Sequence, residues 1–142
     1  MDARIFASHA MRSDLLPPGF PPELAAAVFS TGDEVALPPA LAVSAVDWFG
    51  SHDYAVLGTE LWLLQGDGIQ SLPIGRSGMR EVHGNSVNRQ IHEAWSSFAA
   101  RSAAETRTYL HSFNPSDIVE QGQVYFNIVW ISEADFDKLE PA

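Results

Sequence analysis

Residues 88–113 carry apolar side chains at the spacing of an amphipathic helix, which limits the folds open to the whole chain. At 100° per residue one face collects most of the aromatic residues, and it comprises Ile91, Trp95, Phe98, Ser102, Tyr109 and Phe113. The opposite face is polar or small, and it comprises Glu93, Ser97, Ala100, Ala104, Arg107 and His111. Asn88 is suited to cap the helix and Asn114 to end it, because Pro115 forces its predecessor out of the α region. A helix of these 26 residues would measure about 39 Å, which is enough to lie across a small sheet.

An N-terminal arm and two shorter helices are predicted ahead of this one. Residues 1–21 form the arm, which ends in a proline-rich segment where Phe20 is expected to pack onto the domain. The two helices open on prolines, which are favoured in a first helical turn, and each is followed by a glycine that would end it. Their predicted ranges are Pro22–Ser30 before Gly32 and Ala40–Phe49 before Gly50. Residues 33–37 are predicted to be a connector.

The region after the second helix predicts a β-hairpin. Tyr54–Leu64 alternates as a strand does. One predicted face carries Ala55, Leu57, Thr59, Leu61 and Leu63. The other carries Val56, Gly58, Glu60, Trp62 and Leu64. Gly66-Asp67-Gly68 is a strong turn signal, so Ile69–Ile74 should return antiparallel. Residues 75–87 are glycine-rich and predict a loop or a weak third strand.

The C-terminal third of the chain predicts a central strand and a short helix. Gln123–Ile131 is the most β-prone run, and both of its faces are largely apolar, as in a strand buried inside a sheet. Ser132 is suited to cap a helix over Glu133–Leu139. The predicted fold is therefore α+β: a small, mainly antiparallel sheet covered by the long helix, with the N-terminal helices packed nearby.

Length and composition indicate one domain, residues 1–142, without disulfides. The chain has no cysteine, which removes thiol chemistry and the commonest structural zinc ligands. No apolar run approaches the roughly 18 residues that cross a bilayer, and the charged N-terminal stretch does not resemble a signal peptide. We therefore expect a cytoplasmic protein that does not enter a membrane.

The charge is strongly negative and unevenly distributed. The net charge is −10, and residues 114–142 carry six acidic residues against Lys138, a net charge of −5. Nucleic acid is an unfavourable partner, because binding it draws on clustered lysine and arginine. A basic protein is favoured by long-range electrostatic steering, although acidity that only maintains solubility is an equal alternative at this point.

No catalytic constellation is recognisable in the sequence. His92-Glu93 begins like a zinc-binding H-E-x-x-H motif, but Ser96 stands where the second histidine should be, so a solvent-facing pair is expected. A metal site would require the fold to bring His52 and His83 close together, although their spacing in the sequence matches no metal-binding motif. The sequence therefore predicts a protein that is not an enzyme and has no cofactor or metal.

Two positions invite a structural or an interface interpretation. Glu60 and Trp62 share a strand face, and a tryptophan beside a carboxylate is typical of protein interfaces. The alternative, which we favour, is that this face packs under a helix with Glu60 at its margin. Ser102 lies within the aromatic face of the long helix, where it would permit close approach of the sheet or bond the carbonyl four residues earlier.

Three segments taken together resemble the immunity protein 40 family of bacterial polymorphic toxin systems. They are VLGTELW at 56–62, W-x-x-F with R-S and Y-L between 95 and 110, and VYF-x-x-V at 124–129. The similarity spans about residues 54–131, and Thr59 departs from it by replacing a second glycine of the family pattern.

The resemblance implies a protein that binds a cognate toxin and occludes it stoichiometrically. An acidic surface would suit a basic toxin. The predicted contact residues, all acidic except one tryptophan, are Glu60, Trp62, Asp117, Glu120, Glu133, Asp135 and Asp137. The alternatives are a non-catalytic adaptor or regulatory binding module and, less favoured, a small metal-dependent enzyme.

Overall fold

The computed structural model describes residues 15–65, 68–71, 84–114 and 122–139, and the described strands form one sheet. In chain order the elements are α1 (Pro22–Ala25), β1 (Phe29–Thr31), β2 (Glu34–Leu37), α2 (Pro39–Ser51), β3 (Ala55–Gln65), β4 (Gly68–Ser71), β5 (Gly84–Ser86), α3 (Trp95–Ser112), β6 (Gln123–Ile131) and α4 (Glu133–Leu139). The strand order is β1-β2-β6-β3-β4, and β5 also pairs with β3. Every pairing is antiparallel, so the predicted α+β class is confirmed.

Strand β6 lies in the middle of the sheet, between β2 and β3, with the bounds that the sequence predicts. Phe126 pairs with both Leu37 and Leu61, and all three side chains are buried. An interior strand of this kind needs apolar residues on both faces, which is why the QVYFNIVWI run identified it.

The N-terminal region differs from the prediction, because β1 and β2 form a hairpin in place of a long helix and a connector. Helix α1 ends at Ala25, and Phe29–Thr31 then pairs with Glu34–Leu37. Gly32 does not end a helix: it occupies the hairpin turn with φ 59°, the sign required at the first position of a two-residue turn that opens on glycine. Pairing with β6 outweighs the local helix signal, since it buries Val35 and Leu37 almost completely.

Helix α2 continues to Ser51, so the prediction that Gly50 ends it is wrong. A Cβ atom on Gly50 would collide with the Cβ of Ala103 on α3. Gly50 therefore allows close contact between two helix backbones. Phe20 packs edge-on against Trp48 of α2 with ring centroids 5.2 Å apart, which confirms that the end of the arm lies on the domain.

Helix α3 covers the sheet, but it begins at Trp95 and not at Asn88. Ala94 is extended and His92 has φ 64°, so the chain cannot be helical before Trp95. The predicted apolar face is correct for Trp95, Phe98 and Ser102, which are buried, and wrong for Ile91, which is 88 % exposed. The C-terminal half of the helix packs on β6, where the Phe113 ring stands edge-on to Phe126.

A bulge in β3 changes which side chains share a face. The register with β6 shifts between Val56 and Gly58, leaving Leu57 as the extra residue. Val56 therefore joins Leu61 in the core beneath the helices, where strict alternation would have placed them on opposite faces. Beside the bulge, the Val56 N–H donates to the hydroxyl of Ser102, and that hydroxyl donates to the Ala99 carbonyl three residues back. Ser102 therefore links helix α3 to strand β3. Its hydroxyl bonds the carbonyl three residues earlier, whereas the sequence predicted the carbonyl four residues earlier.

The far edge of β3 is divided between two short strands. Gln65 pairs with Gly68, which confirms the antiparallel hairpin, although residues 66, 67 and 72–83 lie outside the described part of the chain. Gly84–Ser86 is the weak third strand, and its Asn85 accepts from Thr59 of β3 and donates to Thr106 of α3. This polar chain joins the edge strand to the covering helix.

Helix α4 has the predicted bounds and cap. Ser132 Oγ accepts from the Asp135 N–H at 3.2 Å. Phe136 of α4 packs against Trp95 and Phe98 at the start of α3. None of the described helices is long and apolar enough to cross a membrane.

Candidate functional site

At one end of the sheet, two turns and a short helix carry acidic side chains. Val35 pairs with Ile128 and Ala55 with Ile131, so the starts of β2 and β3 lie beside the end of β6. The turn before β2, the turn before β3 and helix α4 after β6 therefore meet at this end. We call it the acidic end, and its exposed carboxylates are Asp33, Glu34, Asp53, Glu133, Asp135 and Asp137.

The acidic end retains a clear excess of negative charge. Lys138 lies 3.5 Å from Asp135, and Arg89 lies over the rings of Trp95 and Phe136. Among the described residues, six carboxylates against these two cations leave a net charge of −4 at this end. Exposed like charges on a surface of this kind raise the local concentration of a cationic partner and its rate of association.

A shallow depression of about 200 Å³ lies between the β1–β2 turn and the second half of β6. Its lining combines two carboxylates with strand residues, namely Asp33, Glu34, Asn127, Ile128, Val129 and Trp130. Val129 is 44 % exposed, which is unusual for an apolar residue in a central strand. An exposed apolar residue surrounded by polar groups resembles, on a small scale, the apolar centre and polar rim of a protein interface.

Glu60 and Trp62 occupy different environments although they are two residues apart. Glu60 is exposed and pairs with Asn127, on the face that carries Val129. Trp62 is only 3 % exposed, and it packs with other sheet residues in place of a helix. Its indole N–H donates to the Glu60 carboxylate at 3.1 Å, so Trp62 offers a partner almost no surface and instead orients Glu60.

The acidic end contains some of the predicted contact residues together with acidic residues that were not predicted to be contacts. Glu133, Asp135 and Asp137 are exposed on α4, while Asp117 and Glu120 lie outside the described residues. Asp33 and Glu34 are not among the predicted contact residues, because the sequence predicts a connector over residues 33–37. The available signal was Gly32-Asp33 between two short runs that alternate.

The candidate metal ligands do not assemble within the described residues. His52 stacks on Trp48 with ring centroids 4.1 Å apart, and its Nδ1 lies 2.8 Å from the Trp48 carbonyl oxygen. His83 lies outside the part of the chain that the structure describes. Among the described residues no three histidine or acidic side chains are grouped closely enough to hold a metal ion.

Glu93 is not the solvent-facing residue that the helical pattern predicts. Its carboxylate is 9 % exposed and accepts two bonds from Arg101, at 2.7 and 2.8 Å. Hydrogen bonds from Arg101 and from the Gln90 N–H lower the pKa of Glu93 to about 2, and the same pair raises the pKa of Arg101. The prediction failed because Glu93 precedes the helix and folds back towards it.

Comparison of the chain with models of protein families, with curated proteins and with solved structures finds no match. The resemblance of residues 54–131 to the immunity protein 40 family therefore stays a prediction. The acidic end and the turn before α3 are the surface features from which a function can be inferred.

Proposed function

We propose that this protein is a cytoplasmic immunity protein that binds a basic bacterial toxin through the acidic end and neutralises it by stoichiometric occlusion. The observation that carries the proposal is the convergence of six exposed carboxylates from three separate chain segments. The sequence resemblance to immunity protein 40 supplies the kind of partner.

Electrostatics supports a basic partner over a neutral one. Exposed charges are largely screened beyond a Debye length of about 8 Å at physiological ionic strength, so these carboxylates favour a cationic surface that approaches the acidic end itself. Their main effect is on the association rate, which such complementarity raises by one to three powers of ten. An immunity protein benefits from fast capture because its toxin acts on the same cell.

The depression beside Asp33 and Glu34 supports contact as well as steering. Val129 offers an apolar centre, and Asp33 and Glu34 stand at its rim. Occlusion requires no reacting group on the inhibitor, only a surface complementary to that of the toxin. The proposed activity therefore involves no cofactor, metal or nucleic acid.

Co-expression with the toxin encoded beside this gene tests the proposal. We expect the protein to restore growth of cells that produce the toxin and to form a one-to-one complex with the purified toxin domain. An adaptor would bind a basic protein without restoring growth. Neither rescue nor binding would refute the proposal.

Charge placement is tested by two variants of equal net charge. Glu34→Gln/Glu133→Gln removes two carboxylates from the acidic end, and Glu23→Gln/Asp47→Asn removes two exposed ones elsewhere. We expect the first to slow association about tenfold at low salt and the second to slow it less than about twofold. Stopped-flow association rates over a salt series measure this. Equal slowing would mean that only overall acidity matters.

A further inference from the structure

The turn before α3 displays an isoleucine in a strained and tightly held backbone. Glu93 N–H donates to the Gln90 carbonyl at 3.1 Å, which closes a four-residue turn with Ile91 and His92 at its centre. His92 has φ 64° at the third position, where such turns normally take glycine or asparagine. Among the described residues Ile91 is the most exposed large hydrophobic side chain, at 88 %.

Several side chains hold this turn in place. The Glu93 carboxylate accepts from the Gln90 N–H at 3.0 Å and from Arg101 of α3. Arg101 also donates to the Asn88 carbonyl, and Arg89 donates to the Glu93 carbonyl. Strained backbone persists only where its surroundings determine it, and it is concentrated at functional sites. No part of this network buries Ile91.

The turn lies at the acidic end. Arg89, two residues before Ile91, covers the contact between Trp95 and Phe136 of α4 with its guanidinium 5.3 and 5.6 Å from the ring centroids. The Trp95 indole N–H donates to the Asp53 carbonyl at 2.7 Å. Asp53 and His92 are the non-glycine residues with positive φ in the described chain, and both belong to this end.

We propose that Ile91 is the apolar anchor of the partner interface, inserting into an apolar pocket that lies beside the basic surface of the toxin. This inference rests on the proposed function and names the contact that holds the complex together. The occupant is a basic protein, because the turn is bordered by α4, whose exposed carboxylates are Glu133, Asp135 and Asp137. A turn held rigid before binding loses little conformational freedom on association, which strengthens the contact.

Steering and anchoring affect different rate constants. Carboxylates at the rim of an interface change the association rate and its salt dependence. An apolar side chain buried on binding changes mainly the dissociation rate. The acidic end and Ile91 can therefore be separated by kinetics within one complex.

The first experiment measures binding of the purified toxin domain encoded beside this gene, by surface plasmon resonance. Ile91→Ala is expected to accelerate dissociation about 30-fold, the scale of an interface hot spot, with association changed less than about twofold. Leu139→Ala is the matched control, since it truncates another exposed aliphatic side chain, 66 % exposed, near the end of α4. We expect its dissociation rate to stay within about threefold of the wild type.

A second experiment tests whether the network acts through Ile91. Glu93→Gln weakens the turn without touching the exposed side chain, and we expect dissociation to accelerate about three- to tenfold. When Glu93→Gln is added to Ile91→Ala, the dissociation rate should change almost no further, because the isoleucine side chain that the turn positions is already absent. Circular dichroism at the assay temperature establishes that each variant is folded.

The outcomes separate this inference from the proposed function. Rapid dissociation of Ile91→Ala, together with the non-additive double variant, supports the anchor. Wild-type dissociation of Ile91→Ala, with slowed association in the acidic-end variant, overturns the anchor and leaves the proposed function standing. A wild-type protein that does not bind the toxin overturns both. A wild-type dimer that Ile91→Asp converts to a monomer would assign Ile91 to self-association and refute the anchor.

Discussion

Replacing Ser102 with alanine tests how the bulge in β3 is stabilised. The Ser102 hydroxyl lies 2.9 Å from the Val56 nitrogen, whose N–H donates to it, and 2.9 Å from the Ala99 carbonyl oxygen, to which it donates. Both Ser102 and Val56 are 0 % exposed. Alanine therefore leaves the Val56 N–H without its acceptor at a site that solvent does not reach.

The expected loss follows from the cost of an unsatisfied buried donor. Such a group costs about 1–3 kcal/mol, so the free energy of unfolding should fall by about 2 kcal/mol. Since a domain of this size loses roughly 2–4 °C of melting temperature per kcal/mol, the shift should be about 4–8 °C. A loss of that size is a substantial part of the 5–15 kcal/mol that stabilises a typical domain.

The chain offers a matched control for this variant. Ser112 at the end of α3 also donates to the carbonyl three residues back, that of Tyr109, but it is exposed and accepts no strand N–H of the described residues. Ser112→Ala should therefore change stability by less than about 0.5 kcal/mol.

Urea unfolding followed by circular dichroism measures both variants, and hydrogen exchange reports on the Val56 amide. We expect faster exchange at Val56 in Ser102→Ala only. If Ser102→Ala were as stable as Ser112→Ala and Val56 stayed protected, the hydroxyl would not be what stabilises the bulge.

Two further predictions concern the ion pair and the helix contact. The Glu93 pKa lies at about 2 in the folded protein against a usual 4.5, so its contribution to stability is present above about pH 4.5 and is lost as pH falls towards 2. The difference in melting temperature between wild type and Glu93→Gln should accordingly shrink over that range, and a difference independent of pH would contradict the ion-pair explanation. Gly50→Ala should cost about 1–2 kcal/mol, because overpacking against Ala103 exceeds the gain in helix propensity of up to about 1 kcal/mol. In urea unfolding, combining it with Ala103→Gly should cost less than the sum of the two single changes; strict additivity would exclude the clash.

Elements set by local patterns were predictable from the sequence. Strand β6 and helix α4 have their predicted bounds, because an unbroken β-prone run and a serine cap are signals contained within the segments themselves. The pairing of β3 with β4 likewise follows from a glycine-rich turn between two apolar runs. The α+β class and the covering role of the long helix follow from periodicity.

Other features were decided by contacts between distant segments. Glu34–Leu37 is a strand because it pairs with β6, about ninety residues later, and no local signal in four residues outweighs that burial. The β3 bulge depends on an acceptor from α3, which is invisible in the strand's own sequence. The turn before α3 is linked to the helix by the Glu93–Arg101 pair, a contact across eight residues, and Ile91 in that turn is exposed.

In the candidate site too, some features follow from local sequence and others from contacts between distant segments. The acidity of the chain and the carboxylates of α4 follow from the sequence, since composition and a capped helix are local properties. Asp33 and Glu34 join them through a long-range contact, because antiparallel register brings the start of β2 beside the end of β6. The exposure of Ile91 also depends on the tertiary structure, since the apolar period continues back to Ile91 although the helix begins at Trp95.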